Sequence, residues 1–352
     1  SAPAGYGKTT LIVAWLQHAV RSATPHHHVA WVSVDDDDDN PSRFFTCLTA
    51  AIREAGIDWT PPNQHVWEFT DSPPVEAILT SLLNELNGFA GQTSLILVLD
   101  DYHRIRSPII HEALQFIVDH APPNLQIILI TREDPPLTLA RWRARAQLTE
   151  IRAADLRFNS EEAAGFLART MALPLPANQI AALETRTEGW VAGLQLAALA
   201  LKSTHPETSQ STEAFIASFS GTHHYIIDYL MEEVLRRQDD GMRDFLRYTS
   251  VLERLCASLC DAVTGRDDGH ERLMQLEHAN AFLIPLDNRR EWYRYHHLMA
   301  DSLQVGLDRQ TRNIVHRRAS QWHEANGLYA EAVRHAFAVG DPVLAADVLE
   351  RI

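Results

Sequence analysis

Ala2-Pro3-Ala4-Gly5-Tyr6-Gly7-Lys8-Thr9, followed at once by Thr10 and the apolar run Leu11-Ile12-Val13-Ala14-Trp15-Leu16, is the passage from which the rest of this 352-residue chain is best understood. Two glycines spaced two apart give the backbone a tight path that turns successive N–H groups toward one point. A helix starting beside them adds the positive end of its dipole, so the segment is suited to an anion. In that setting Lys8 contacts the β and γ phosphates of a nucleotide and the Thr9 hydroxyl holds Mg2+. The spacing is that of the Walker A motif, with Ala2 where the first glycine usually stands. The alternative is a glycine-containing turn that carries a lysine by chance, and the amphipathic run that follows weighs against it.

Outward from this loop, to about residue 155, apolar runs alternate with helical stretches. The runs are Val29-Ala30-Trp31-Val32-Ser33-Val34, Leu95-Ile96-Leu97-Val98-Leu99 and Ile127-Ile128-Leu129-Ile130. Near-continuous apolar strands indicate a parallel sheet covered by helices on its faces, an α/β fold. A shorter run, Leu148-Thr149-Glu150-Ile151, is expected to close the sheet. The second run ends in Asp100-Asp101, the Walker B arrangement, which sets a carboxylate beside the phosphate loop. Asp100 is the expected Mg2+ ligand. Asp101 is the candidate to orient or deprotonate an attacking water, with an acidic turn as the plainer alternative. The third run ends in Thr131-Arg132, so Arg132 can bring a cation to the γ phosphate, or form an ordinary surface salt bridge.

From Asn159 the chain turns helical, opening with Asn159-Ser160-Glu161-Glu162, a cap residue with Glu three positions on. Helical spacing recurs through Ile180-Leu183, Val191-Leu194-Leu196-Leu199 and Ile226-Tyr229-Leu230-Val234. Between about 240 and 305, short helices precede Ala281–Leu286 and Trp292–Tyr295, two strands joined by the polar turn Asp287–Glu291. Helices followed by a hairpin outline a winged helix. The last stretch reads as one helix-turn-helix repeat of solenoid type, similar to a TPR unit, and one repeat needs stacked neighbours to bury its face. The expected domains are a P-loop NTPase domain over 1–157, a helical domain over 158–237, a winged helix over 238–308 and the start of helical repeats over 309–352.

Charge narrows the partners. The formal charge of -15 is the opposite of what gripping nucleic-acid phosphates requires, so DNA binding is expected only through some other domain. No apolar run is long enough for a membrane span and no signal peptide opens the chain, so a cytoplasmic protein is expected. Cys47, Cys256 and Cys260 are expected to be small core residues rather than a disulfide framework. Asp35–Asp39 reads as a solvated loop leading into a helix near Pro41 rather than a cation site. The triplet His26-His27-His28 points its side chains in different directions and makes a poor metal site.

The ordered series of motifs resembles the STAND-class regulatory ATPases, and within them the large LuxR-type, MalT-like transcriptional activators. The residues that carry the resemblance are Ala4-Gly5-Tyr6-Gly7-Lys8-Thr9-Thr10, Trp31-Val32-Ser33-Val34-Asp35 and Leu97-Val98-Leu99-Asp100-Asp101-Tyr102-His103. They continue with Thr131-Arg132, Leu139–Arg145, Asp155–Phe158, Glu188-Gly189-Trp190-Val191-Ala192-Gly193-Leu194-Gln195-Leu196 and Tyr293-Arg294-Tyr295-His296-His297-Leu298. The resemblance implies a module held closed by ADP, in which exchange for ATP, promoted by an inducer on a downstream solenoid, allows self-association. It also implies that a winged-helix histidine reaches the phosphates in the closed state. His296 matches, with a plain helix-start histidine as the alternative and His297 as the weaker candidate.

Three departures shape the expectation. Gly193-Leu194-Gln195-Leu196 stands where relatives carry Gly-Leu-Pro-Leu, which removes a proline that contacts adenine. The strand that leads into the loop is expected to lie ahead of Ser1, leaving open strand edges. The DNA-binding helix-turn-helix of the activators is expected outside this sequence, which reads as an internal piece of a longer regulator. Two rival functions remain: a P-loop phosphotransferase acting on a small molecule, for which no acceptor site is visible, and a scaffold that has lost nucleotide binding, against which Lys8, Thr9 and Asp100 argue.

Overall fold

The apolar run at Leu95–Leu99 becomes the middle of a parallel sheet in the computed structural model of the protein, which describes residues 1–22, 26–62, 75–88, 93–204, 208–340 and 342–351. The strands are β1 (His26–Ser33), β2 (Thr93–Asp100) and β3 (Leu125–Leu129), in the order β1-β2-β3, with Val29 opposite Ile96 and Leu97 opposite Ile127. Successive β2 residues enter two separate cores. Leu95, Leu97 and Leu99 join one cluster, and Ile96 and Val98 the other. A strand buried on both faces has no polar side to show, which is why its sequence does not alternate.

The chain divides into two compact units, Ser1–Ala2 with Gly7–Leu156, and Pro3–Tyr6 with Arg157–Ile352. In the first, the sheet is covered on one face by α1 (Lys8–Ser22), through Ile12 and Leu16. The other face takes α2 (Pro41–Glu54), α3 (Val75–Gly88) and α4 (Pro108–Asp119), which bury Phe45, Leu48, Ile78, Leu82, Ile110 and Leu114 against it. Each such side chain contributes about 1.5–3 kcal/mol. Two short helices, α5 (Leu139–Ala144) and α6 (Ala153–Leu156), complete this unit.

Three expectations are corrected here. Leu148–Ile151 forms no strand. A strand needs a neighbouring ladder, and this segment is instead tied by side chains, with Glu150 accepting from Arg143 at 2.7 and 2.9 Å. The acidic run is not simply a solvated loop. Asp35 caps a tight turn over Asp36–Asp39, Asp38 is buried beneath the Arg43 guanidinium at 2.9 Å, and Asp39 accepts from the backbone of Arg106 and Ser107 at 2.6 and 2.7 Å. Of the cysteines only Cys260 is buried. Cys47 and Cys256 are partly exposed, and Cys47 lies at the edge of the acidic turn, its Sγ 3.6 Å from Asp38 Oδ1. The histidine triplet starts β1, where His27 Nδ1 meets Ser94 Oγ and His28 Nδ1 meets the Ala55 carbonyl.

The second unit is helical. It opens with α7 (Ser160–Gly165), where Asn159 and Glu162 form a reciprocal capping box with contacts of 3.0 Å. Then follow α8 (Ala177–Thr187), α9 (Val191–Thr204), α10 (Ser209–Ser218), α11 (His224–Glu233), α12 (Asp240–Thr249), α13 (Ala257–Thr264) and α14 (Gly269–His278). The hairpin β4 (Leu283–Pro285) and β5 (Tyr293–Tyr295) is antiparallel and shorter than its apolar runs, with Asn280 and Phe282 at positive φ just before β4. Its turn is organised by the Asp287 carboxylate, which accepts from the backbone of Arg289, Glu291 and Trp292 at 2.7, 3.2 and 2.8 Å. Last come α15 (His297–Val305), α16 (Arg309–Ala325), α17 (Tyr329–Ala338) and α18 (Pro342–Glu350). Among the described residues no helix is long and apolar enough to cross a membrane.

Candidate nucleotide site

In the first unit the carboxyl end of β2 and the start of α1 place the predicted residues together. Thr9 Oγ1 donates to Asp100 Oδ1 at 3.2 Å, so the two expected Mg2+ ligands touch. The same Asp100 oxygen accepts the backbone N–H of Asp101 at 3.0 Å. Burial, then the neighbouring Asp101 charge, push the Asp100 carboxyl up from the usual carboxylate range, against the pull of the Thr9 bond and of Lys8. A carboxylate in that position gains from a nearby cation. Lys8 turns its Nζ back to the Ala2 carbonyl at 2.7 Å, at the first turn of α1. Thr10 is exposed on the same turn.

Asp101 adopts a left-handed conformation, φ 57°, which lifts its side chain out of the strand and leaves it 42% exposed. Aspartate tolerates this backbone better than most residues. His103 Nδ1 stands 3.8 Å from its carboxylate. Arg132 follows the buried Thr131 just past β3 and is partly exposed, its carbonyl accepting from Ser1 Oγ at 3.4 Å. Ala2, wholly buried, donates its N–H to the Thr131 carbonyl at 3.4 Å, and the Ser1 amino group donates to the Ile151 carbonyl at 2.8 Å. Residues 1–2 thus run between the ends of β3 and the Glu150–Arg152 segment.

The first half of the loop belongs to the second unit and is held there by its backbone. The Trp190 indole N–H donates to the Ala4 carbonyl at 3.0 Å, and the Ala192 N–H donates to the Gly5 carbonyl at 3.0 Å. Gly5 has φ +75°, and a Cβ there would fall 2.5 Å from Ala192 Cβ and 2.8 Å from both Trp190 Nε1 and Tyr229 Oη. At Gly7, with φ +74°, a Cβ would meet nothing within 4 Å. Tyr6 is buried with its ring 6.3 Å from Phe282, and burial pushes its phenol up to about 12.

Trp190 is wholly buried and packs edge-on to Tyr229, Phe282 and His296, at centroid distances of 5.4, 5.2 and 5.9 Å. His296 is 1% exposed, and its Nε2 donates to the Thr187 carbonyl at 2.9 Å. Its Nδ1 is buried without a hydrogen-bond partner among the described residues. Burial lowers the ring's pKa to about 4, against the attraction of Glu188, so His296 is neutral near pH 7. His297 is exposed, its ring 3.3 Å from Glu188. Sequence reasoning did not single out Glu188 or Trp190 as functional side chains. Their signal was the Glu188-Gly189-Trp190 motif itself, an acidic residue and an indole bracketing a helix end.

Comparison with known proteins gives three kinds of likeness. Residues 231–315 match the model of the MalT winged helix domain. Over 353 aligned residues, 99% of this chain and 31% of the relative, the sequence is 35% identical to the serine/threonine-protein kinase PknK of Mycobacterium tuberculosis. It is 36% identical to the HTH-type transcriptional regulator MalT of Yersinia enterocolitica over 99% of this chain and 37% of that protein. The same regulator of Klebsiella pneumoniae gives 33%, 99% and 38%. The chain therefore spans about a third of the curated relatives it matches. Among solved structures, a Walker-type ATPase of Pyrococcus abyssi superposes with a TM-score of 0.56 over 86% of this chain and 89% of that one. At 16% identity this likeness speaks for the fold alone.

Proposed function

We propose that the chain, which is similar over 99% of its length to MalT regulators, is an adenine-nucleotide-binding regulatory switch within a longer transcriptional activator. The observation that carries this reading is the Thr9–Asp100 contact at 3.2 Å, which brings a hydroxyl and a buried carboxylate to the start of α1. That donor set, hard oxygens with an adjacent lysine, fits Mg2+ and a phosphate chain. Backbone N–H groups at Gly7 to Thr10 and the Lys8 ammonium would hold the phosphates, and a Cβ at Gly7 would meet nothing within 4 Å. When bound, Mg2+ neutralises charge on the β and γ phosphates. Asp101 would orient water for a slow hydrolysis, and Arg132 would bring positive charge to the γ phosphate.

In this reading ADP keeps the module closed through His296, exchange for ATP permits self-association, and an inducer acts through further helical repeats. DNA is engaged by another part of the protein, in the cytoplasm. The two states require different affinities for the two nucleotides, since equal affinity shifts nothing. Titration calorimetry with ADP and ATP, with and without Mg2+, tests the site. Asp100→Asn is expected to abolish the Mg2+ dependence of ATP binding while leaving the Mg2+-free affinity within about threefold. An unchanged Mg2+ dependence would remove Asp100 from the site. Light scattering in each nucleotide tests self-association, which is expected with ATP and not with ADP.

A further inference from the structure

Six consecutive residues, Thr187 to Ala192, hold two other parts of the second unit at once. On one side Trp190 and Ala192 bind the carbonyls of Ala4 and Gly5. On the other, the Glu188 carboxylate accepts from both terminal guanidinium nitrogens of Arg294, at 2.9 and 2.7 Å, and from the backbone N–H of His297 at 3.0 Å, while the Thr187 carbonyl accepts from His296. The strand-to-helix corner 294–297 is therefore gripped at three of its four residues by two adjacent residues of the segment. Glu188 does this at an awkward place. It follows α8 with φ 49°, in the left-handed region where helix ends favour glycine or asparagine. Its side chain is only 8% exposed, with Arg157 a further 3.9 Å away. A glutamate in strained backbone persists when its side chain over-determines the position.

From this geometry we propose that Glu188 is a positioning residue for nucleotide discrimination. Its paired carboxylate locks the 294–297 corner, and so His296, onto the same short segment that grips the Ala4 and Gly5 carbonyls of the loop. The inference rests on the proposal that the loop binds ADP and ATP. His296 touches the ligand in that proposal; Glu188 acts only through the corner. Arg294 is its counterpart, since a guanidinium fork matches a carboxylate where an ammonium does not.

The test measures dissociation constants for ADP and ATP on the intact chain, for wild type, Glu188→Gln, Arg294→Lys and the charge-exchanged pair Glu188→Arg with Arg294→Glu. Loss of the lock is expected to weaken ADP roughly tenfold while ATP changes less than about twofold. A purely structural role would weaken both alike. Arg294→Lys keeps the charge and loses the fork, so it reports on the lock even when Glu188→Gln fails to fold, and it is expected to lose part of the discrimination. Partial return of the ADP preference in the exchanged pair, relative to Glu188→Gln, supports the lock. Unchanged ADP-to-ATP ratios in a folded Glu188→Gln or Arg294→Lys overturn the inference and leave the nucleotide site standing. A wild type that binds neither nucleotide overturns both.

Discussion

Gly5 and Gly7 stand two residues apart in one loop, with φ of +75° and +74°, and live in opposite surroundings. Around Gly5 the backbone is gripped by Trp190 and Ala192 and has no room for a methyl group; a methyl group on Gly7 would meet nothing within 4 Å. The motif describes both glycines in the same terms, as permissive backbone. The structure separates them: a Cβ at Gly5 would collide with Ala192, Trp190 and Tyr229, whereas one at Gly7 would meet nothing within 4 Å. In the proposed site the phosphates are held by the second half, with Lys8, Thr9 and Asp100. The first half carries the contacts from Trp190 and Ala192.

This contrast is open to direct attack. Gly5→Ala meets both the left-handed backbone and three fixed neighbours, so it is expected to destabilise the protein by about 4 kcal/mol, strain and overpacking together. Chemical denaturation measures it, and a loss near that of Gly7→Ala would erase the distinction. The next effect is read against pH. Burial, opposed and outweighed by the Arg294 and His297 contacts, leaves the Glu188 carboxyl at about 2, below its ordinary 4.5, and burial lowers His296 from 6.5 to about 4.

The sign is the same for both groups. A depressed folded pKa means the folded state binds fewer protons, so stability is held at high pH and lost on acidification. The His296 contribution is whole above about 6.5 and fades as pH falls through about 4; that of Glu188 is whole above 4.5 and fades toward about 2. His316, His323 and His335, clustered between α16 and α17 and also shifted down by burial, act in the same direction. The useful quantity is therefore a difference. Between pH 6.5 and 4 the melting temperature of His296→Gln is expected to fall less than that of wild type, and equal slopes would contradict the burial of a neutral His296.

Smaller effects follow. Trp190→Phe removes the donor to the Ala4 carbonyl and part of a buried ring, which is expected to destabilise by about 2 kcal/mol. It should also weaken nucleotide binding, measured by calorimetry. Gly7→Ala suffers backbone strain alone, about 1 kcal/mol. Its test is again denaturation, and a loss of 3 kcal/mol or more would mean that a side chain at Gly7 does meet packed neighbours.

Much of the fold could be seen in the residues. The β2 run is apolar at every position because both its faces are buried, and the Asn159 capping box and the Asp287 hairpin turn are local chemistry that needs no tertiary information. The meeting of Thr9 with Asp100 also follows from a loop and a strand end placed by one sheet. What stayed hidden depends on partners remote in sequence. Asp39 lies in a run of like charges, and its partners are the backbone N–H groups of Arg106 and Ser107, 67 and 68 positions later. Leu148–Ile151 has strand-like residues and no ladder to join. Glu188 ends a helix as an ordinary charged residue would, and its place becomes intelligible only when Arg294, 106 positions later, closes on it.

The central claim is that the loop from Ala4 to Thr10 binds an adenine nucleotide through Lys8. The most direct measurement is the binding of ADP to purified wild-type protein and to Lys8→Ala, by calorimetry, after release and identification of any nucleotide carried through purification. The account predicts that wild type binds ADP and that Lys8→Ala weakens it at least roughly tenfold, since a charge-assisted bond to phosphate is lost. Wild-type protein that carries no nucleotide and binds neither ADP nor ATP, or a Lys8→Ala variant that binds as well as wild type, would contradict it.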